Sequence, residues 1–148
     1  MAQYPTVTVA DSYFGDHWNA SIWFKKDTDD KNKALIHATR LVDALNYKGV
    51  KNDSAQTLEF PRGSDTTVPD DIIHATCEVA LALVDGRNLE TEHFNMSRTS
   101  ANVAGVHVRH DPEILNVAFL HNIPSMVAWS LLMPYLRDRR VFRFDRVD

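Results

Sequence analysis

Histidines and an acidic neighbour are the residues of this sequence best suited to metal chemistry. The chain contains seven histidines, and the densest group is His107, His110 and His121 together with Asp111. No HExxH or CxxC spacing accompanies them, and on a strand residues 107 and 110 would face opposite sides. We interpret these histidines as solvent or interface residues and expect no metal site.

Paired carboxylates could act as general acids and bases, but both pairs lie where helices are predicted to begin. Asp29–Asp30 and Asp70–Asp71 would each interact favourably with the positive end of a helix dipole. Cys77, the only cysteine, falls inside a predicted helix and is interpreted as a buried apolar residue. His74 and Glu78, four residues apart, are interpreted as a surface pair. We therefore predict a protein that is not an enzyme and uses no cofactor.

The last twelve residues differ in charge from the rest of the chain. They hold five Arg and three Asp and sum to +2 (5 − 3); since the whole chain carries −4, the preceding 136 residues sum to −6 (−4 − 2). Arginine alternates here with apolar residues, which suits strand addition to a protein partner, contact with nucleic acid, or a solvated tail. The residues concerned are Arg137, Arg139, Arg140, Val141, Phe142, Arg143, Phe144 and Arg146. The tail is predicted to have a different partner from the body.

Apolar residues at three- and four-residue steps predict the elements that position these groups. Helices are expected over residues 6–16, 28–45, 69–85 and 124–136. The third is the most apolar, with Pro69 in its first turn and Gly86 at its end. The second, N-capped by Thr28, is expected to pack against it and form the core. Pro134 is expected to kink or end the last helix.

Aromatic residues follow the first helix in an irregular stretch. Trp18, Ile22, Trp23 and Phe24 fall within seven positions, and exposing all of them to water would be costly. Either they cap one end of the core or they form an exposed patch that binds a partner.

Two further stretches lack a helical period. A loop as long as residues 46–67 is usually functional or a binding element, and we predict an inter-subunit contact there. Its residues would be Leu58, Phe60, Pro61 and Arg62, with Leu58 and Phe60 anchored on the core and Arg62 pointing to solvent or a neighbour. Residues 87–110 predict a projecting β-hairpin-like excursion that includes Val103, Val106, His107, Val108 and Arg109.

Length and composition predict one soluble domain. The chain has 148 residues, of which 44% are hydrophobic and 24% charged, as in ordinary globular proteins. A single cysteine excludes an intrachain disulfide and fits a reducing cytoplasm. No signal peptide or membrane span is recognised, so we expect no membrane partner.

The sequence resembles a family of small phage proteins. The similarity covers residues 8–138 and rests on the strings ADSYF, ALIHATRLVDALNYKG, QTLEFPR, VPDDIIHATCEVALALVDG and IPSMVAWSLLMPYLRD. Its most specific part is QxLxFPR followed by VPxxIxxAxCExAL. Members are labelled DnaT-like single-stranded-DNA-binding proteins. They also resemble the head–tail adaptor (connector, head-completion) proteins that assemble as a ring beneath the portal.

The adaptor resemblance implies a mainly α protein, a small helical bundle with a projecting excursion and an extended C-terminal arm. Residues 1–136 would form the adaptor domain of a ring, typically dodecameric, and residues 137–148 the arm that docks on the portal protein. The loop would meet neighbouring copies, and the excursion would meet the next tail component. The protein would be made in the host cytoplasm and reside in the virion at the head–tail junction, with double-stranded DNA passing through the ring. The alternative is a DnaT-like single-stranded-DNA-binding protein.

Overall fold

The protein is mainly α-helical. The computed structural model describes residues 2–87, 118 and 121–137, and the backbone of residues 100–103 and 106–109. The α-helices in this part of the chain are α1 (Val7–Gly15), α2 (Ser21–Phe24), α3 (Thr28–Asp43), α4 (Asp70–Val84) and α5 (Met126–Leu132), and α5 continues as a 3-10 helix over Met133–Tyr135. The predicted mainly α class is confirmed.

Helix α4 is the centre of the fold. Pro69 forms its N-cap with extended backbone, Asp70 and Asp71 occupy the first turn, and Gly86 follows the helix at a φ of +82°. The aspartates and Gly86 lie where the sequence predicts them, whereas Pro69 is the N-cap and not, as predicted, a residue of the first turn. Every residue from Ala75 to Ala82 is buried, so this part of α4 is covered on all sides by other elements.

Among the described helices, α3 packs most extensively against α4, as predicted. Its buried apolar residues, Leu35, Ala38 and Val42, belong to the same core as α4. The N-cap is Asp27 rather than the predicted Thr28, and the Asp27 carboxylate accepts a hydrogen bond from the backbone N–H of Asp30 at 2.8 Å. A carboxylate both caps the helix and complements its dipole.

The aromatic stretch after α1 divides into buried and exposed residues. Trp23 is fully buried, and its indole N–H donates to Asp11 Oδ1 at 2.7 Å. Trp18 is 91% exposed and Phe24 51% exposed. Trp23 therefore caps the core, as one of the two predictions has it, whereas Trp18 and Phe24 lie on the surface. Binding of a partner by these exposed residues stays a prediction.

The last described helix is shorter than predicted. Ser125 caps α5 by accepting a hydrogen bond from the backbone N–H of Ala128 at 3.2 Å, and the α-helical part ends at Leu132. Pro134 then lies within the 3-10 turn, and Leu136 is extended. Proline removes a backbone donor, which explains why the α-helix does not continue to residue 136.

Residues 100–109 contain two short paired strands. Backbone of β1 (Ser100–Val103) pairs antiparallel with β2 (Val106–Arg109), with Ala101 opposite Val108 and Asn102 opposite His107. The side chains of the predicted excursion, Val103, Val106, His107, Val108 and Arg109, lie outside the described part. Its projection from the body and its contact with a tail component remain predictions.

Candidate functional site

The loop of residues 46–68 is folded around Phe60. The Phe60 side chain is 4% exposed, and three tyrosine rings meet it edge-on, with centroid distances of 4.7 Å to Tyr47, 5.8 Å to Tyr135 and 6.2 Å to Tyr4. The Phe60–Pro61 peptide bond is cis. The prediction that Phe60 anchors this loop on the core is confirmed.

A half-buried polar network fixes the backbone beside this ring. The Asp43 carboxylate at the end of α3 accepts hydrogen bonds from the Tyr4 hydroxyl and from the backbone N–H of Glu59, the latter at 2.7 Å. The Tyr4 oxygen accepts in turn from the backbone N–H of Phe60 at 3.3 Å. Burial, and after it the Asp43 carboxylate, raises the pKa of Tyr4 well above its usual range. Tyr4 therefore stays a neutral donor and ties the N-terminus to α3 and the loop.

Arg62 points into its own loop, so the prediction that it points to solvent or a neighbour is wrong. Its Nε donates to the carbonyl of Lys48 at 2.9 Å and its Nη2 to that of Gly49 at 2.7 Å. It also forms an ion pair with Glu59, and the side chain is only 12% exposed. The guanidinium fork closes the loop because it satisfies backbone carbonyls that no helix or sheet pairs.

Backbone pairing completes the closure of the loop. The N–H of Asn52 donates to the carbonyl of Pro61 at 3.1 Å, and the N–H of Gly63 donates to the carbonyl of Val50 at 2.9 Å. Leu58 and Pro61 are half-buried. Of the predicted inter-subunit residues, Phe60 and Arg62 are thus engaged within their own chain, and the contact of this loop with a neighbouring copy stays a prediction.

The same loop holds the root of the C-terminal segment, which we define as residues 135–137. The N–H of Lys48 donates to the carbonyl of Tyr135 at 2.9 Å, and the N–H of Arg137 donates to the carbonyl of Asn46 at 2.9 Å. These two bonds form an antiparallel bridge between Tyr47 and Leu136. These contacts therefore fix the backbone of residues 135–137 against the loop.

Tyr135 links the root to the start of α4. Its hydroxyl donates to the carboxylate of Asp71 at 3.0 Å. Burial, followed by the hydrogen bond and negative charge of Asp71, raises the pKa of Tyr135. A polar depression of about 460 Å³ lies beside this contact. It is lined by Ser64, Asp65, Thr66, Thr67, Pro69 and Tyr135. The root thus borders an acidic, hydroxyl-rich surface.

The remainder of the predicted docking arm lies outside the described residues. Arg137 is described and exposed at the end of the root. The other arm residues, beyond the described part, are Arg139, Arg140, Val141, Phe142, Arg143, Phe144 and Arg146. Of this arm, the structure places only the point of attachment.

Glu78 and His74 do not form the predicted surface pair. Glu78 is buried, and its Oε1 accepts a hydrogen bond from the Tyr13 hydroxyl at 2.8 Å and lies 3.0 Å from His17 Nε2. His74 stacks on the Tyr13 ring at 4.6 Å instead. Both Tyr13 and His17 come from the α1 end of the chain, which the spacing along α4 could not reveal.

The remaining candidates for chemistry are Cys77 and the histidine group with Asp111. Cys77 is buried, as predicted, and burial raises the pKa of its thiol to about 12. His121 stacks on Trp129 at 5.2 Å, while His110 and Asp111 lie outside the described part. Among the described residues, no three His, Cys, Asp or Glu side chains are close enough to hold a metal ion. No described helix is long and apolar enough to cross a membrane.

Comparison with known proteins assigns the family. The family described as "Putative DnaT-like ssDNA binding protein" matches residues 3–128, which is more than half of the chain. The chain belongs to this family. The match includes the loop of residues 46–68, α3 and α4, and it ends within α5, before the root of the C-terminal segment. No curated protein and no solved structure matches the chain.

Proposed function

We propose that this DnaT-like family member is a structural head–tail adaptor of a bacteriophage, without enzymatic activity. It would form a ring between the portal and the next tail component, around the DNA channel. The proposal is supported above all by the bridge between Tyr47 and Leu136, which holds the backbone in place at the residue before the arginine-rich segment begins.

A fixed root favours docking by the arm that follows it. Residues 137–148 carry a net charge of +2 (5 − 3), and two backbone hydrogen bonds hold Tyr135 and Arg137, where this segment begins. Fixing the start of a binding segment lowers the conformational entropy that binding must offset. The arm is proposed to add to the portal protein through backbone pairing and arginine contacts to acidic side chains.

The charge of the body suits a channel through which DNA slides. Residues 1–136 sum to −6 (−4 − 2), and negative charge repels the phosphate backbone at short range. An adaptor ring must surround DNA without gripping it. A body of this charge meets that requirement better than a basic one would.

Removing residues 138–148 tests the adaptor proposal. The truncated chain keeps Arg137 and the bridge at the root, so the bundle should fold with an unchanged thermal midpoint. Binding to purified portal protein, measured by co-sedimentation, should be lost. A matched control replaces Lys25 and Lys26 with alanine, which removes two cations elsewhere and should leave portal binding intact. Portal binding by the truncated but folded chain at the strength of the full chain would refute the role of the arm.

Single-stranded DNA binding is the second candidate, and the family description favours it. The arginines of the tail could contact phosphates, and exposed aromatic rings could stack on bases. Affinity for a labelled oligonucleotide should then fall steeply with salt, and Arg139→Ala with Arg140→Ala should weaken it and reduce the salt slope. An oligonucleotide that shows no salt-sensitive binding to the full chain would remove this candidate.

A further inference from the structure

Residues 2–6 precede α1 and form a segment that we call the N-terminal strap. The backbone N–H of Tyr4 donates to Thr39 Oγ1 at 3.2 Å, and the Tyr4 hydroxyl donates to the Asp43 carboxylate. The Tyr4 oxygen also accepts a hydrogen bond from the backbone N–H of Phe60 at 3.3 Å. One residue thus ties the strap both to α3 and to the loop around Phe60.

The strap has few attachments besides Tyr4 and the buried Pro5. In the described part of the chain, no backbone–backbone hydrogen bond reaches residues 2–5, and the buried side-chain oxygen of Gln3 has no hydrogen-bond partner. A buried acceptor left unpaired raises the free energy of the docked arrangement. Segments with few hydrogen bonds open locally before a protein unfolds as a whole. The strap can therefore detach while the helices stay folded.

The ring of Phe60 connects the strap to the root of the C-terminal segment. The Tyr4 ring lies 6.2 Å from it and the Tyr135 ring of the root lies 5.8 Å from it, both edge-on. Phe60 is buried, and protein interiors are close-packed. A shift of this ring into space that Tyr4 vacates therefore changes its contact with Tyr135.

Phe60 contacts both sides of the bridge that holds the root. On the loop side, Tyr47 lies 4.7 Å from the Phe60 ring and pairs with Leu136 in the bridge. On the root side, Tyr135 accepts a hydrogen bond at its carbonyl from the backbone N–H of Lys48 at 2.9 Å. A displacement of Phe60 thus reaches both strands of the bridge at once.

We propose that the N-terminal strap controls how firmly the root is held, acting through the Phe60 ring. With Tyr4 docked, Phe60 is kept against Tyr47 and Tyr135 and the bridge stays closed; with the strap released, the bridge opens more often. A partner that displaces residues 2–6 would therefore loosen the root without touching it. The inference goes beyond the adaptor proposal, because it concerns the described residues alone and holds whichever partner the arm binds.

Hydrogen exchange of the full chain, followed by NMR, tests this coupling. Tyr4→Phe keeps the ring but removes the hydroxyl, which makes two hydrogen bonds, so the strap should detach more often. The readouts are the backbone N–H groups of Lys48 and Arg137, which close the bridge. Both should exchange at least about fivefold faster than in the wild type, which corresponds to about 1 kcal/mol.

The opposite direction provides a second, independent measurement. Tyr135→Ala removes the root's ring from Phe60 and should accelerate exchange of the Tyr4 backbone N–H, because an equilibrium coupling acts in both directions. Tyr13→Phe is the matched control: it removes a hydroxyl that donates to Glu78 at 2.8 Å and should leave the strap and root amides unchanged. Amides at the centre of α4 report global unfolding and separate it from local opening.

Three results would overturn the inference. The first is unchanged exchange at Lys48 and Arg137 in Tyr4→Phe. The second is equal acceleration in Tyr13→Phe or at the centre of α4, which would report a general loss of stability. The third is acceleration in one direction only, because coupling at equilibrium is reciprocal. None of these results changes what portal binding by the chain without residues 138–148 says about the adaptor proposal.

Discussion

The loop of residues 46–68 and the stretch of residues 17–24 both lie between the longer helices and both contain large aromatic residues, but these residues differ in burial. In the loop, Phe60 is enclosed by the rings of Tyr4, Tyr47 and Tyr135. In the stretch after α1, Trp23 is buried but Trp18, five residues earlier, is 91% exposed. Whether an aromatic residue is buried therefore depends on partners supplied from distant parts of the chain.

The two regions also differ in what they contribute to the fold. Phe60 contributes to the core, and its neighbours Asp43 and Arg62 hold the loop that fixes the C-terminal root. Trp18 is exposed and contributes little to the described core. The first region thus holds distant segments together, whereas the second leaves a large apolar side chain on the surface.

The largest expected effect on stability comes from removing the Phe60 ring. Phe60→Ala removes a buried aromatic ring from contact with three tyrosines and should lower the free energy of unfolding by about 3–5 kcal/mol. Urea denaturation followed by circular dichroism measures it. Trp18→Ala is the matched aromatic control and should change stability by no more than about 0.5 kcal/mol. Equal losses for the two variants would contradict the comparison.

A smaller effect is expected from the polar network beside that ring. Asp43→Ala leaves the Tyr4 hydroxyl and the backbone N–H of Glu59 without their acceptor. Because these donors are only partly buried, their loss of a partner should lower the free energy of unfolding by about 1–3 kcal/mol in total. Unfolding in urea should detect this loss. Asp16→Ala, at an exposed position after α1, is the control and should be nearly neutral. A neutral Asp43→Ala would mean that water or another group replaces the carboxylate.

The sequence predicts the parts of the fold that depend on local signals. Apolar residues at helical spacing place α3 and α4, and Gly86 and the first-turn aspartates Asp70 and Asp71 mark the ends of α4 to within a residue. Burial of Cys77 also follows from its position on the apolar helix. These features need no knowledge of what packs against them.

The features that sequence reasoning missed depend on contacts between distant residues. Glu78 is buried because the Tyr13 hydroxyl, 65 residues away, satisfies its carboxylate. Arg62 turns inward because its guanidinium donates to the carbonyls of Lys48 and Gly49, which lie in the loop after α3. The periodicity of one segment contains no information about donors or acceptors on another. A long loop whose sequence lacks a helical or strand period can consequently still be held in one conformation by specific hydrogen bonds.

The smallest expected effect on stability concerns the hydrogen bond that Trp23, unlike the exposed Trp18, makes to Asp11. Asp11 accepts hydrogen bonds from Trp23 Nε1 at 2.7 Å and from Lys31 Nζ at 2.9 Å. Burial acts to raise the pKa of Asp11, but the hydrogen bonds from Lys31 and Trp23 outweigh it and hold the pKa below its ordinary value. Asp11 is therefore charged more readily in the folded than in the unfolded chain.

This shift has a definite sign in the pH dependence of stability. A carboxyl whose pKa is lowered by folding adds stability above its unfolded pKa, and the contribution is lost as the pH falls through the folded value. Because the Asp11 side chain is 39% exposed, screening by solvent limits the contribution to less than about 1 kcal/mol. Asp11→Asn should thus be less stable than the wild type near neutral pH, with the gap closing below about pH 4, the ordinary aspartate value. Urea titrations at a series of pH values measure the gap, and a gap that widens on acidification would show that Asp11 does not hold Trp23 through its charge.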